Sequence, residues 1–483
     1  MISDIQIDYL NDEKIEKIVD AAFTIMETTG EEIHYDKARE ILAEAGCTVE
    51  GLRVKIPREV TKKCIALAPD CIRIYDRNGN PAMELTGRNT YFGGGPTCPY
   101  FYDARTGERR PAKKEDAAVS ARVTDALEHI DYAMSLVMVA DKTNVLADIH
   151  EVDAMVRNTT KPIASWAFTK ENMEDLFHIC EAVAGGAEAL REKPFLIVYS
   201  EPTSPLAHGE EALKKLLVAA EYHVPCIYTP GMILGGTAPA TIAGGLATGL
   251  SEFLTGLVVA QLAYPGCPIL GGTSATPLDM STMQTPYAAP ETSMILAASN
   301  QIMRYLGIPS FDMTGGNESK KIDAQIGMEV AMEAMVSLMS GGNLVHDCGF
   351  MDIGITGSAD ALILCDEIIG MAKRYCTNFE VSEETLPLET IDRVGPCGNF
   401  LAEEHTFCHF RNEFWQPTLL ERRNYESWEA DGSKDMAQRI HEKLQIILDT
   451  HEPEPLSEEV IAKIDAIVAS AEKRIAETES FSV

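Results

Sequence analysis

Basic side chains are scarce: 41 Lys and Arg stand against 74 Asp and Glu, a formal net charge of -33 over 483 residues. A chain this acidic repels nucleic acid and anionic membrane surfaces, so neither is expected as a partner, whereas a cationic or neutral ligand is easily accommodated. The start, Met1-Ile2-Ser3-Asp4, lacks a basic segment followed by an apolar one. No run approaches the roughly 20 consecutive apolar residues of a membrane span, and the expected location is the cytoplasm. Paired cysteines are also missing. The 12 are scattered singly, Cys47, Cys64, Cys71, Cys98, Cys180 and Cys226 among them, with no CxxC and no Cys/His spacing of a zinc site. That pattern predicts reduced thiols and no bound metal. HExxH, the EF-hand loop, the GK[ST] ending of a P-loop, GxGxxG between strand and helix, and the GxSxG elbow are all absent, which removes the commonest zinc, calcium, nucleotide and serine-hydrolase chemistries.

What is present is a core: 45% of residues are hydrophobic, so disorder is not the expectation. Residues 1–88 read as an N-terminal cap. Ile15, Ile18, Val19, Ala22, Phe23 and Met26 recur at helical spacing between Asn11 and Gly30, and the runs 72–75 and 82–85 flank the turn dipeptide Asn78-Gly79. From Thr90 to about Lys373 eight short apolar runs alternate with longer segments of helical period. The runs are 90–94, 132–138, 162–167, 195–199, 226–229, 268–271, 310–313 and 343–347. Leu213, Leu216, Leu217 and Ala220 line one such helix, and Val145, Leu146, Ile149, Val152, Met155 and Val156 another, with polar residues opposite. Strict alternation implies parallel pairing with right-handed crossovers, and eight units fit a (β/α)8 TIM barrel over 89–376 better than an open sheet. A C-terminal extension over 377–483 follows, aromatic and polar to Trp428 and then two charged helices, around 436–449 and 457–477, expected to pack on the barrel.

In such a barrel the chemistry lies at the C-terminal strand ends. Tyr91, Phe92, Tyr100, Trp166, Phe168, Tyr199, Tyr228 and Phe350 fall there. A ring of aromatic faces binds a quaternary ammonium ion through the ring quadrupole; core filling is the other reading of each. His346, ending the eighth run with Asp347, is either a ligand donor or a satisfied core histidine. Glu201, Asp312 and Asp352 are rim acids that either face a cation or are solvated. The glycine clusters 93–95, 235–236, 271–272 and 315–316 permit close backbone approach at the rim. Arg77, Arg105, Arg109 and Arg110 lie far from any strand end, no strand-end lysine suits Schiff-base chemistry, and Asp366-Glu367 sit adjacent on a helix without sharing a face.

The block Asp103-Ala104-Arg105-Thr106-Gly107-Glu108-Arg109-Arg110-Pro111-Ala112, the segments Tyr228-Thr229-Pro230-Gly231-Met232 and Gly235-Gly236-Thr237-Ala238-Pro239, and Gly271-Gly272-Thr273-Ser274 resemble the trimethylamine methyltransferase family. So do Gly395-Pro396-Cys397-Gly398-Asn399-Phe400-Leu401, His405-Thr406, His409-Phe410-Arg411, Trp415, Pro417, Arg422, Tyr425 and Trp428, so that the resemblance runs over nearly the whole chain. Founding members of the family carry pyrrolysine, and here all 483 letters are standard. The resemblance therefore points to the branch without pyrrolysine, which acts on quaternary amines such as glycine betaine, proline betaine, carnitine or γ-butyrobetaine. It implies a methyltransferase whose acceptor is the Co(I) form of cobalamin carried by a separate corrinoid protein, with no cofactor bound tightly by the chain itself, and a homo-oligomer. Phe92, Tyr100, Trp166, Tyr199, Glu201, Tyr228, His346 and Phe350 are the expected substrate-binding residues. The rival readings are an unrelated TIM-barrel enzyme and a quaternary-ammonium binding protein without turnover.

Overall fold

Between Tyr91 and Cys348 short strands alternate with longer helices, and the central strands pair in parallel throughout. In the computed structural model, which describes residues 3–480, these are β1 (Tyr91–Gly94), β2 (Ile163–Trp166), β3 (Leu196–Ser200), β4 (Cys226–Tyr228), β5 (Ile269–Gly271), β6 (Phe311–Met313) and β7 (Leu344–Cys348). They form two arcs, β2-β3-β4-β5 and β6-β7-β1. Single parallel bridges, Gly271↔Ser310, Gly93↔Tyr132 and Ala133↔Ile163, link one arc to the other. The fold is α/β and TIM-barrel-like.

Seven of the eight expected runs become ladder strands within a residue or two of their expected limits. The run 132–138 does not: only Tyr132 and Ala133 pair as strand residues. Beyond them Leu136 adopts φ 60°, and the N–H groups of Leu136 and Met138 donate to the carbonyls of Gly95 and Cys98. The chain thus folds over the loop that follows β1 instead of extending the sheet.

Side chains of a strand alternate between faces, and one parity points inward: Ala164, Ile197, Ile227, Leu270, Phe311 and Leu344 form the interior with Tyr132 and Met134. The hairpin of Ile72–Tyr75 and Pro81–Leu85 closes the floor, inserting Ile72, Ile74, Met83 and Leu85 into the same cluster. Its turn is organised by Asp76, whose carboxylate accepts from the Asn78 and Asn80 N–H groups, while Gly79 alone of the Asn-Gly pair takes positive φ.

Helices cover the strands: α1 (Asp12–Thr24), α2 (Lys114–Ala126), α3 (Ala147–Asn158), α4 (Lys170–Ala184), α5 (Glu210–Tyr222), α6 (Ile242–Ala263), α7 (Pro290–Leu306), α8 (Ala324–Ser340), α9 (Ala359–Cys376), α10 (Met436–Thr450) and α11 (Glu458–Ser480). Asn11 caps α1, which buries Ile15, Ile18, Val19, Ala22 and Phe23 as its periodicity requires. The helix α6 is long and apolar enough to cross a membrane by length and composition, against the expectation that no segment is, yet 83% of its apolar window is buried inside the protein. It carries the buried polar side chains Glu252 and Gln261 and packs against α1 and α5, so it is a core helix.

The polar face expected on α3 is also absent. Asp148, His150, Glu151 and Asp153 are buried together with the apolar residues, because α2 and the C-terminal helix α11 cover the outside. His150 meets Glu472 at 2.8 Å and Arg157 meets Asp465 at 2.7 Å across that contact. The C-terminal extension therefore packs on the strand-and-helix body through α10 and α11. The three short helices that precede them, Leu388–Val394, Glu404–Glu413 and Tyr425–Ala430, bury no residue.

Candidate functional site

Above the apolar interior, at the C-terminal strand ends, lies a cavity of about 490 Å³, within the range of about 300–1,000 Å³ typical of small-molecule sites. Its wall follows from the strand parity: on five of the strands the residue two beyond the interior residue faces the cavity, giving Trp166 after Ala164, Tyr199 after Ile197, Thr229 after Ile227, Met313 after Phe311 and His346 after Leu344. Phe311 forms the step between interior and cavity, 6.0 Å from the Tyr199 ring and 4.2 Å from that of His346. Phe350 and Tyr287 complete the aromatic lining from the loops. A separate two-stranded parallel ladder, Gly231–Leu234 with Ser274–Pro277, rises beyond β4 and β5 and makes a collar of Met232, Ile233, Ala275 and Thr276.

Asp347 breaks the parity. The β7–β1 register shifts between Val345 and Cys348, and Asp347 takes φ 84°, a left-handed conformation that non-glycine residues rarely adopt. A bulge re-aims a side chain, and this one joins the cavity wall beside His346. Burial pushes the Asp347 carboxyl well above the usual range. Burial also pulls the His346 imidazole down to about 3, so the ring is neutral near pH 7. Its Nδ1 is 3.3 Å from Asp347 Oδ1 but makes no hydrogen bond among the described residues. Across the cavity the Tyr199 hydroxyl donates to Glu201 Oε2 at 2.5 Å, and burial followed by the Glu201 charge drives the phenol well up.

One lysine reaches the cavity, from a helix and not a strand end: Lys215 of α5, which donates to the Ala167 carbonyl at 2.7 Å. Burial lowers its pKa. Aromatic faces, two carboxyls and one lysine suit a small molecule with a cationic and an anionic end. A cation facing Asp347 would restore the ionised carboxylate that burial disfavours.

Five of the eight expected binding residues, Trp166, Tyr199, Glu201, His346 and Phe350, line this cavity. Three do not. Tyr228 has the other strand parity and points outward, where Gly256 of α6 leaves room for its ring; its hydroxyl lies 2.7 Å from His208 Nδ1, and His208 Nε2 lies 2.5 Å from Glu31. Phe92 is likewise off parity and buried in the outer layer. Tyr100 lies on a loop strand, with the Arg109 guanidinium 3.9 Å above its ring. Asp312 is also off parity, accepting from Asn300 at 2.8 Å in the core, and Asp352 pairs with Lys320 at 3.2 Å. Asp347, Tyr287, Phe311 and Lys215 are the aromatic and charged lining residues missing from the expected set; of these, strand parity could have found only Phe311, as it also gives the uncharged Thr229 and Met313.

A family model described as trimethylamine methyltransferase (MTTB) matches residues 2–476. The chain is 31% identical over 464 residues to the trimethylamine methyltransferase MttB of Desulfitobacterium hafniense (strain DSM 10664 / DCB-2), across 96% of this chain and 93% of that protein. It is 30% identical over 470 residues to the glycine betaine methyltransferase of Desulfitobacterium hafniense (strain Y51), across 97% and 98% of the two. Among solved structures, the monomethylamine methyltransferase MtmB of Methanosarcina barkeri matches with a TM-score of 0.50 at 11% identity, across 96% of this chain and 94% of that one. At that identity the likeness is one of fold.

Proposed function

Because the chain belongs to the trimethylamine methyltransferase family, we propose that this methyltransferase takes an N-methyl group from a small quaternary amine, of the glycine betaine, proline betaine or carnitine type, and delivers it to the Co(I) corrinoid of a partner protein. The observation that carries the reading is the cavity itself: Trp166, Tyr199, Tyr287, Phe311 and Phe350 surround a space with the carboxyls of Glu201 and Asp347 on its wall. A quaternary nitrogen offers no hydrogen bond, so ring faces and carboxylates are the groups able to hold it. All 483 residues are standard, so the chain supplies no pyrrolysine to capture a tertiary amine.

The residues present fit that task. Aromatic faces fix the methylammonium, while Lys215 and neutral His346 are the donors available to a carboxylate at the other end. No general acid is required, because the C–N bonding pair leaves on a neutral tertiary amine. A Co(I) corrinoid, when docked, supplies the nucleophile for the methyl carbon. The chain orients that methyl group toward the cavity mouth and keeps water from the ammonium, which removes orientational entropy from the barrier. The same reading takes the two arcs with their single bridges as a closed (β/α)8 barrel between a cap at 1–88 and an extension at 377–483. It also takes the protein as cytoplasmic and as a homo-oligomer, the latter supported by the exposed side chains of Leu388, Leu401 and Phe407.

The test supplies a Co(I) corrinoid protein, then each betaine and trimethylamine in turn, and follows the corrinoid's visible spectrum. Methyl transfer from one quaternary amine and none from trimethylamine is expected. Silence with every amine, using a partner competent with another methyltransferase, overturns the reading.

A further inference from the structure

Trp166 is the one cavity ring with a hydrogen-bonding edge held by a buried acid. Its indole N–H donates to Glu151 Oε2 at 3.0 Å, and Glu151, on α3 behind the wall, is fully buried. The other carboxyl oxygen accepts from the Val139 N–H at 3.2 Å, and the Ser135 hydroxyl faces the same group. Phe168 packs edge-on at 4.5 Å, fixing the indole plane. Glu151 makes no ion pair among the described residues; the titratable groups facing it are Asp148 on its own helix and the Cys98 thiol from the loop after β1. An acid placed so lacks the usual compensation of a buried charge, and the cavity on the far side of the indole is the direction from which a cation can supply it.

An indole whose N–H donates to an anion gains electron density, which deepens the negative potential over its face, and a cation above that face in turn favours the anion. We propose that Glu151 is a positioning and tuning residue that sets the cavity's affinity for cations through Trp166, the carboxylate at the indole edge and a quaternary ammonium at the ring face stabilising each other across the ring. The inference rests on the quaternary-amine reading above. It adds a residue that never touches the ligand.

Burial pushes the Glu151 carboxyl up to about 8. A bound cation lowers that value, so below it binding must expel a proton and is weaker, while above it the carboxyl is already ionised and binding reaches its full strength. Affinity for the cation therefore rises with pH through the region around 8. The experiment is calorimetric titration of the full-length protein with glycine betaine between about pH 7 and 9. Wild type is expected to show the rise; Glu151→Gln, which keeps an oxygen for the indole N–H, is expected to lose it and to bind about 5-fold more weakly at the upper end. A rise that survives in Glu151→Gln overturns the inference, because it then belongs to other groups such as Asp347. Should Glu151→Gln fail to fold, Trp166→Phe keeps an aromatic face without the N–H: loss of the rise supports the coupling, and its retention overturns it. Wild-type protein that binds no quaternary ammonium ion takes down the functional reading itself, whereas a wild type that binds with no difference between variants takes down only the role of Glu151.

Discussion

At Asp347 the backbone turns against its own preference, with φ 84° at a bulge in β7, and the result is a carboxyl buried on the cavity wall. Backbone conformations of this kind cost about 1–3 kcal/mol and persist where a function uses them. Replacing the acid by its amide, Asp347→Asn, preserves the volume and removes the charge a cation would meet. On the function proposed above, the expected outcome is affinity for glycine betaine weakened about 10-fold, with the unfolding midpoint unchanged or raised, since a poorly compensated buried acid is removed; calorimetry and urea titration read the two. At this scale the sequence was legible where parity applies. Trp166, Tyr199 and His346 each stand two residues beyond an interior aliphatic residue, and the same rule, applied strictly, excludes Phe92, Tyr228 and Asp312. Asp347 could not be read in this way, because a bulge cancels the alternation and leaves no mark in the residue types around it.

Elements were more legible than residues. Short β-rich runs buried on both faces stand out from amphipathic helices, which is why the ladders begin and end close to the expected limits. The run 132–138 is lost to the loop it folds over, and the errors on the helices share a cause: tertiary cover. The outer face of α3 reads as solvent-facing until α11 is placed on it, and α6 reads as an ordinary crossover until α1 and α5 enclose it. Glycine at element ends tells the same story of close approach. A Cβ at Gly95 would lie 2.2 Å from the Phe350 ring, which lines the cavity. Gly95→Ala is therefore expected to cost about 1–3 kcal/mol of stability through overpacking and to weaken substrate binding as Phe350 is displaced. A urea midpoint unchanged from wild type, with intact binding, would contradict that geometry.

For the molecule as a whole, buried acids give stability a particular slope with pH. The carboxyls of Glu151 and Glu252 stand near 4.5 when exposed, and burial raises them to about 8 and about 7. Folded protein holds these protons through a range in which unfolded chain has lost them, so their contribution to stability is complete below about pH 4.5 and is lost as pH rises toward 7 and 8. His346 works in the opposite direction: held down to about 3 against 6.5, it contributes stability above 6.5 that is lost as pH falls toward 3. Thermal melts are expected to show Tm declining between about pH 5 and pH 8, partly offset by His346 below 6.5 and flattening above 8, with the decline up to about pH 7 shallower in Glu252→Gln. A flat profile would mean that these acids are ionised in the folded state.

The collar formed by Gly231–Leu234 and Ser274–Pro277 pairs within itself and with Ala238 just beyond it, and stands on β4 and β5 without joining their ladder. Wall height is thereby uncoupled from the framework beneath. A lineage can re-letter or resize those two short segments, and so change how long a molecule fits between the aromatic floor and the mouth, while every hydrogen bond of the supporting arcs stays in place. Diversification of substrate length within such a scaffold then requires no renegotiation of the fold.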